Sequence, residues 1–158
     1  MAQPLAPSDV VVTTAIPAAA MWAAIDAQRL FLPIVQLSIQ AGFPSPADDF
    51  AVKRHDLNEL LITHPQATFF WRVAGKSMLE AGIDDGDLLV VNRALTPAHR
   101  NIVVAQIDGD FTVKYLHKRN GRIKLVAANP TYPDINFKDG QVLVICGVVT
   151  CTIKRFVS

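Results

Sequence analysis

Two residues of this 158-residue chain have the type and setting for nucleophilic chemistry, Ser77 and Lys114. Ser77 sits in Gly75-Lys76-Ser77-Met78. A phosphate-binding loop ending in Gly-Lys-Ser needs a glycine five residues before Gly75, where Phe70 stands. A nucleophile elbow, Gly-x-Ser-x-Gly, needs a glycine at the position of Leu79. The third possibility is the Gly-x-Ser-Met arrangement, in which a lysine activates the serine. There the serine comes after a strand and opens a short helix. Backbone N–H groups of the turn, at Gly75, Ser77 and Met78, are then placed to bind a developing oxyanion. A plain turn serine fits the same four residues, so the lysine decides.

Lys114 lies in Phe111-Thr112-Val113-Lys114-Tyr115-Leu116. At period two it shares a strand face with Thr112 and Leu116, and Val113 and Tyr115 take the other. A lysine in such a strand ordinarily points to solvent. If it is buried instead, desolvation lowers its pKa from the ordinary ~10.4. The neutral amine can then take the proton from a serine hydroxyl, with no need of histidine or carboxylate. His55, His64, His99 and His117 have no metal-ligand spacing, and His117 faces away from Lys114. Asp84, Asp85 and Asp87 surround Gly86 and read as a turn, since a full set of cation ligands is missing. No cofactor is implied.

These residues need a scaffold, and the composition supplies one. Hydrophobic residues make up 51% of the chain and charged ones 18%, enough for a packed core. A formal net charge of +1 gives no electrostatic basis for gripping a nucleic-acid backbone, so little direct binding is expected. Cys146 and Cys151 lie in one apolar run at an odd spacing, on opposite faces of a strand, as free thiols suited to a reducing compartment. The uncharged run from Val10 to Ile25 lacks a preceding basic residue and contains Pro17. It is therefore neither a secretory signal nor a membrane span, and a soluble, cytoplasmic protein is expected.

The chain divides near residue 42. Residues 1–41 form an Ala-, Pro- and Val-rich arm, and 42–55 form an extended connector opened by Gly42-Phe43-Pro44-Ser45-Pro46. Residues 56–158 read as a mainly β domain. Asp56 caps a short helix through Leu57, Leu60 and Leu61 that ends before Pro65. Strands are expected over Thr68 to Ala74, Leu88 to Val91, Ile102 to Ile107, Phe111 to Leu116 and Ile123 to Ala127. Asp108-Gly109 and Asn120-Gly121 make hairpin turns. A long last strand, Val142 to Ile153, bends at Gly147.

Several of these motifs, in this order, resemble one family. Gly42 to Asp49, Asp56 to Ile62, Gly75 to Met78, Gly82 to Val91, Asp108 to Lys114, Asn129-Pro130 and Gly147 to Val149 are similar to UmuD, of the LexA/UmuD/phage-repressor group of Ser–Lys autopeptidases. The resemblance implies a LexA C-terminal-like folded antiparallel sheet with one or two short helices and an extended N-terminal arm. It implies Ser77 as nucleophile, Lys114 as base and self-cleavage at Ala41-Gly42, leaving residues 42–158 as the mature subunit. It further implies a homodimer, stimulation by the RecA–single-stranded DNA filament, and a UmuC-like Y-family polymerase as partner in SOS translesion synthesis.

Three departures stand out. Ala41 replaces the family's frequent cysteine, Lys76 replaces an acidic residue, and the arm is longer than usual, so that Met21 is a second candidate start. The alternative function is a non-enzymatic polymerase accessory module on the same fold. A LexA-like repressor needs a helix-turn-helix that residues 1–40 are too short and too poor in basic residues to form. A membrane signal peptidase needs an anchor.

Overall fold

The computed structural model describes residues 10–12, 20–24, 26–35, 41–42, 52–137 and 141–157. Residues 43–51 of the connector, and with them Phe43 to Asp49, lie outside the described residues, as do 1–9, 13–19, 25 and 36–40 of the arm.

The domain is mainly β, as its apolar, β-branched runs and turn residues predict. In chain order the strands are β1 (Val10–Val12), β2 (Met21–Trp22), β3 (Phe31–Val35), β4 (Val52–Asp56), β5 (Thr68–Arg72), β6 (Leu88–Asn92), β7 (Ile102–Ile107), β8 (Asp110–Arg119), β9 (Arg122–Val126), β10 (Ile135–Asn136) and β11 (Leu143–Ile153). One helix, α1 (Leu57–Leu61), and two single 3-10 turns complete the description. Both hairpins fall at the predicted dipeptides. Asp108 and Gly109 (φ 50° and 97°), then Asn120 and Gly121 (52° and 71°), adopt the left-handed conformation that two-residue turns require.

Nine strands form one sheet in the order β10-β9-β8-β7-β11-β6-β5-β2, with β1 parallel to the start of β11 and the other pairings antiparallel. β11 organises it. Its first half pairs with β7 and its second half with β6. The register slips between Ile145 and Gly147, where the expected bend occurs. A Cβ at Gly147 would lie 2.8 Å from Val91 Cγ1 and 3.2 Å from the Asn92 carbonyl, so the backbones of β11 and β6 meet there only because position 147 has no side chain.

The core lies on both faces of this folded sheet. Val103, Ala105, Leu116, Leu125 and Ile145 pack with Phe137 in one cluster. Val104 and Cys146, the intervening residues of β7 and β11, pack with Phe69, Met78, Ile83, Leu89 and Val91 in the other. Burial on both faces explains why these strands read as unbroken apolar runs rather than alternations. Both cysteines are free, and burial raises the pKa of each thiol.

The described stretches before residue 42 are extended and pair with other strands. β2 adds to the edge of β5, with Met21 opposite Phe70 and Trp22 opposite Phe69. β3 pairs with β4 over Phe31↔Asp56 to Val35↔Val52, a two-stranded sheet of its own. Neither pairing has a local signal, because Pro33 sits inside β3 and the partner of each strand is distant in sequence. Among the described residues no helix is long and apolar enough to cross a membrane.

Candidate active site

Ser77 is held by a turn built from three directions. After β5, Val73 N–H donates to the Asp87 carbonyl (2.8 Å), and Gly86 N–H returns a bond to the Val73 carbonyl (3.0 Å). Gly75 turns the chain at φ 96°, a conformation that glycine adopts without strain. Its N–H donates to Asp85 Oδ1 at 2.7 Å. The acidic loop is therefore a turn, as predicted, and also a buttress for the serine. Asp87 ties it down through Asp84 N–H (2.9 Å) and Lys154 Nζ (2.7 Å). Burial pushes the Asp87 carboxyl up, but these two donors outweigh it and hold its pKa below the ordinary value.

From the third side comes the segment after β9. Ala128 N–H donates to the Ser77 carbonyl (2.9 Å), Glu80 N–H to the Ala128 carbonyl (2.7 Å), and Asn129 Nδ2 to the Lys76 carbonyl (2.8 Å). Met78, 1% exposed, anchors the turn in the core. Beyond it the chain makes one 3-10 turn, Leu79–Ala81, ended by Gly82 at φ 78°. This turn is shorter than a helix whose dipole would matter, so oxyanion binding would fall to individual N–H groups. Gly75 N–H is engaged by Asp85. No hydrogen bond to a described residue occupies the Ser77 or Met78 amide. The Lys76 side chain is exposed, and only its carbonyl enters the site.

Lys114 does not point to solvent. It is 7% exposed, with Nζ 2.6 Å from Ser77 Oγ, 3.0 Å from Thr112 Oγ1 and 3.0 Å from the Val113 carbonyl. Thr112 is the same-face neighbour expected at period two. Burial lowers the lysine pKa, and among the described residues no carboxylate forms an ion pair with it. Three acceptors surround Nζ, the Ser77 and Thr112 hydroxyls and the Val113 carbonyl. Once the amine is neutral, two N–H donors can serve Val113 and Thr112 and leave its lone pair for the Ser77 hydroxyl. Such an arrangement can strip the serine proton without a histidine.

Ser77 opens into a cleft of about 190 Å³ whose apolar walls include Trp71, Leu89, Val104, Phe111 and Val113. The Trp71 and Phe111 rings are 4.9 Å apart. Ala41 and Gly42 are exposed and do not line this cleft. The histidines lie elsewhere. His99 and His117 pack edge to face at 4.9 Å, and His64 Nδ1 is 2.8 Å from Asn92 Nδ2. No cluster among the described residues could hold a metal ion. Sequence reasoning reads Asp85 as a turn residue and Asn129 as part of a family motif, but not that both support the Ser77 turn. The contact of Asn129 with Lys76 spans 53 positions, so nothing local marks it.

Comparison with known proteins agrees with this construction. A family model described as peptidase S24-like matches residues 33–150. The protein ImpA of Salmonella typhimurium is 46% identical over 124 residues, which are 78% of this chain and 83% of ImpA. The protein MucA of Escherichia coli is 44% identical over 120 residues, 75% of this chain and 82% of MucA. The LexA repressor of Cupriavidus taiwanensis is 36% identical over 126 residues, 80% of this chain and 57% of the repressor. By its motifs, its fold and these matches, the chain belongs to the peptidase S24-like family.

Proposed function

We propose that this chain is a self-cleaving serine peptidase in which Ser77 is the nucleophile and Lys114 the general base. It cuts its own Ala41–Gly42 bond and yields residues 42–158 as the mature subunit. The observation that carries this is the 2.6 Å approach of a buried lysine amine, unpaired with any described carboxylate, to the Ser77 hydroxyl. Lys114 takes the proton as Ser77 attacks the Ala41 carbonyl. The Ser77 and Met78 amides hold the oxyanion. Lys114 then protonates the leaving Gly42 amine, and water hydrolyses the acyl-enzyme. The small side chain at Ala41 suits close approach to the turn.

Ala41 and Gly42 are exposed and lie outside the cleft in the resting chain, so cleavage requires them to enter a cleft, either their own or that of a dimer mate. Tethering makes the effective concentration high, and each site needs one turnover. The RecA filament on single-stranded DNA acts by favouring the loop-in-cleft conformer, a shift of population rather than added chemistry. The mature homodimer then serves a UmuC-like Y-family polymerase in error-prone translesion synthesis during the SOS response. The motif resemblance to UmuD and the similarity to ImpA and MucA support this role.

The test is the intact mass of purified protein incubated with and without activated RecA. Fragments 1–41 and 42–158, absent in Ser77→Ala, are the expected result. A folded protein that stays whole under every condition would leave the non-enzymatic accessory subunit.

A further inference from the structure

The described residues 20–24 and 26–35 carry backbone pairings and side-chain contacts to the body, and all of them precede the Ala41–Gly42 bond. β2 extends β5, and Ala23 N–H donates to the Thr68 carbonyl at 3.1 Å. The Trp22 ring lies tilted against the fully buried Phe69, with centroids 5.9 Å apart, and the Arg93 guanidinium sits over the Trp22 ring, 5.0 Å from its centroid. Further along, β3 pairs with β4 over five residue pairs.

Between these two strands the body offers a polar clamp. Asp56 is 4% exposed, and its Oδ1 accepts from Leu30 N–H (3.2 Å) as well as from Asn58 N–H (3.0 Å), the bond that caps α1. Asn58 Nδ2 donates to the Gln28 carbonyl (3.0 Å), and Leu57 N–H to the Leu30 carbonyl (3.0 Å). Arg54 reaches the Phe31 carbonyl (3.1 Å). The start of α1 thus grips Gln28 to Phe31 by main-chain groups, whatever side chains they carry. A groove of about 290 Å³ lies between Ala23 and Ala27 of the segment and Ile62, Pro65 and Phe70 of the body. The grip is made mainly by strand edges and the clamp, which suits reversible docking.

We infer that the body of the protein is a docking site for its own N-terminal piece, and that residues 1–41 remain bound by this clamp after the cut. This rests on the cleavage site proposed above. Cleavage and release are then separate steps. Before the cut the piece is held at the effective concentration set by its loop. Afterwards only its contacts hold it, and departure becomes dependent on concentration.

The test separates docking from self-cleavage. A recognition sequence for a site-specific protease is inserted between Ala41 and Gly42 of full-length Ser77→Ala, at exposed residues that should tolerate it. After nicking, gel filtration with intact-mass detection should show the N-terminal piece travelling with 42–158. Asp56→Ala removes the acceptor of Leu30 N–H and should speed release about tenfold. Trp22→Ala changes only the departing piece and should do so to a similar extent. This guards against a merely unfolded Asp56 variant, which thermal unfolding also reports. Immediate separation of the piece from a folded body would overturn the inference, as would release rates unmoved by both substitutions. If the nicked piece stays but unmodified protein never cuts at Ala41–Gly42, docking stands and the cleavage proposal falls.

Discussion

The turn around Ser77 and the segment before residue 42 are opposites in construction. The turn is fixed by the buried Met78, by Asp85 beneath Gly75 and by the 128–129 segment across it. Of the described N-terminal residues, Val10–Val12 pair with β11 and Ala20 and Ala23 are buried, but Met21, Trp22, Leu30, Phe31, Leu32 and Val35 are each more than two-fifths exposed. A catalytic group must be held to a fraction of an ångström. On the proposed reading the segment is a substrate that must leave its resting place to reach the cleft, and contacts that bury few of its large side chains permit that. Core packing is then concentrated at the proposed reactive groups, and the segment before the cut is held by main-chain hydrogen bonds and a few side-chain contacts, those of Ala20, Ala23 and Trp22 among them.

The largest expected effects come from breaking the rigid side at its chemistry. Ser77→Ala should abolish self-cleavage, and Lys114→Ala should slow it by about 10²–10⁴-fold. Both variants should still fold, as read by circular dichroism beside intact mass. Next comes the scaffold. Gly147→Ala puts a methyl group 2.8 Å from Val91 Cγ1 and should cost about 1–3 kcal/mol, seen as a lower urea midpoint with an unchanged slope. Smaller still is Thr112→Val, which removes one acceptor from the Lys114 amine. Cleavage should fall about tenfold while the melting temperature barely moves, which sets aiming of the base apart from stability.

The smallest effect concerns the stability of the site itself. The folded-state pKa of Lys114 is depressed by burial, so between it and the ordinary value the unfolded chain holds a proton that the folded chain does not. Folding is therefore penalised at neutral pH, and the penalty fades as pH rises toward ~10.4. Lys114→Met should accordingly raise the melting temperature modestly at neutral pH, with the gain shrinking as pH rises.

Legibility in the sequence divides along the same line. Hairpins at Asp108-Gly109 and Asn120-Gly121, strand β7 and the bend at Gly147 are legible because each depends on local backbone preference or on an unbroken apolar run. Ser77 and Lys114 can be singled out as a pair, yet the burial of the lysine cannot. The usual preference of a strand lysine would send that side chain to water. Burial arises from the Ser77 turn folding over β8, a contact across 37 positions. The edge pairings of β2 and β3 are illegible for a related reason. Two to five residues in an Ala- and Pro-rich stretch carry no period, and their partners are fixed by tertiary position.

The most direct test of the central claim is the pH dependence of the self-cleavage rate, measured by intact mass from neutral to alkaline pH, for unmodified protein and Lys114→Ala. A neutral lysine as base predicts a rate that rises about tenfold per pH unit and levels off below the ordinary lysine pKa of ~10.4, a profile that Lys114→Ala loses. A rate indifferent to pH, or the same profile in both proteins, would contradict it.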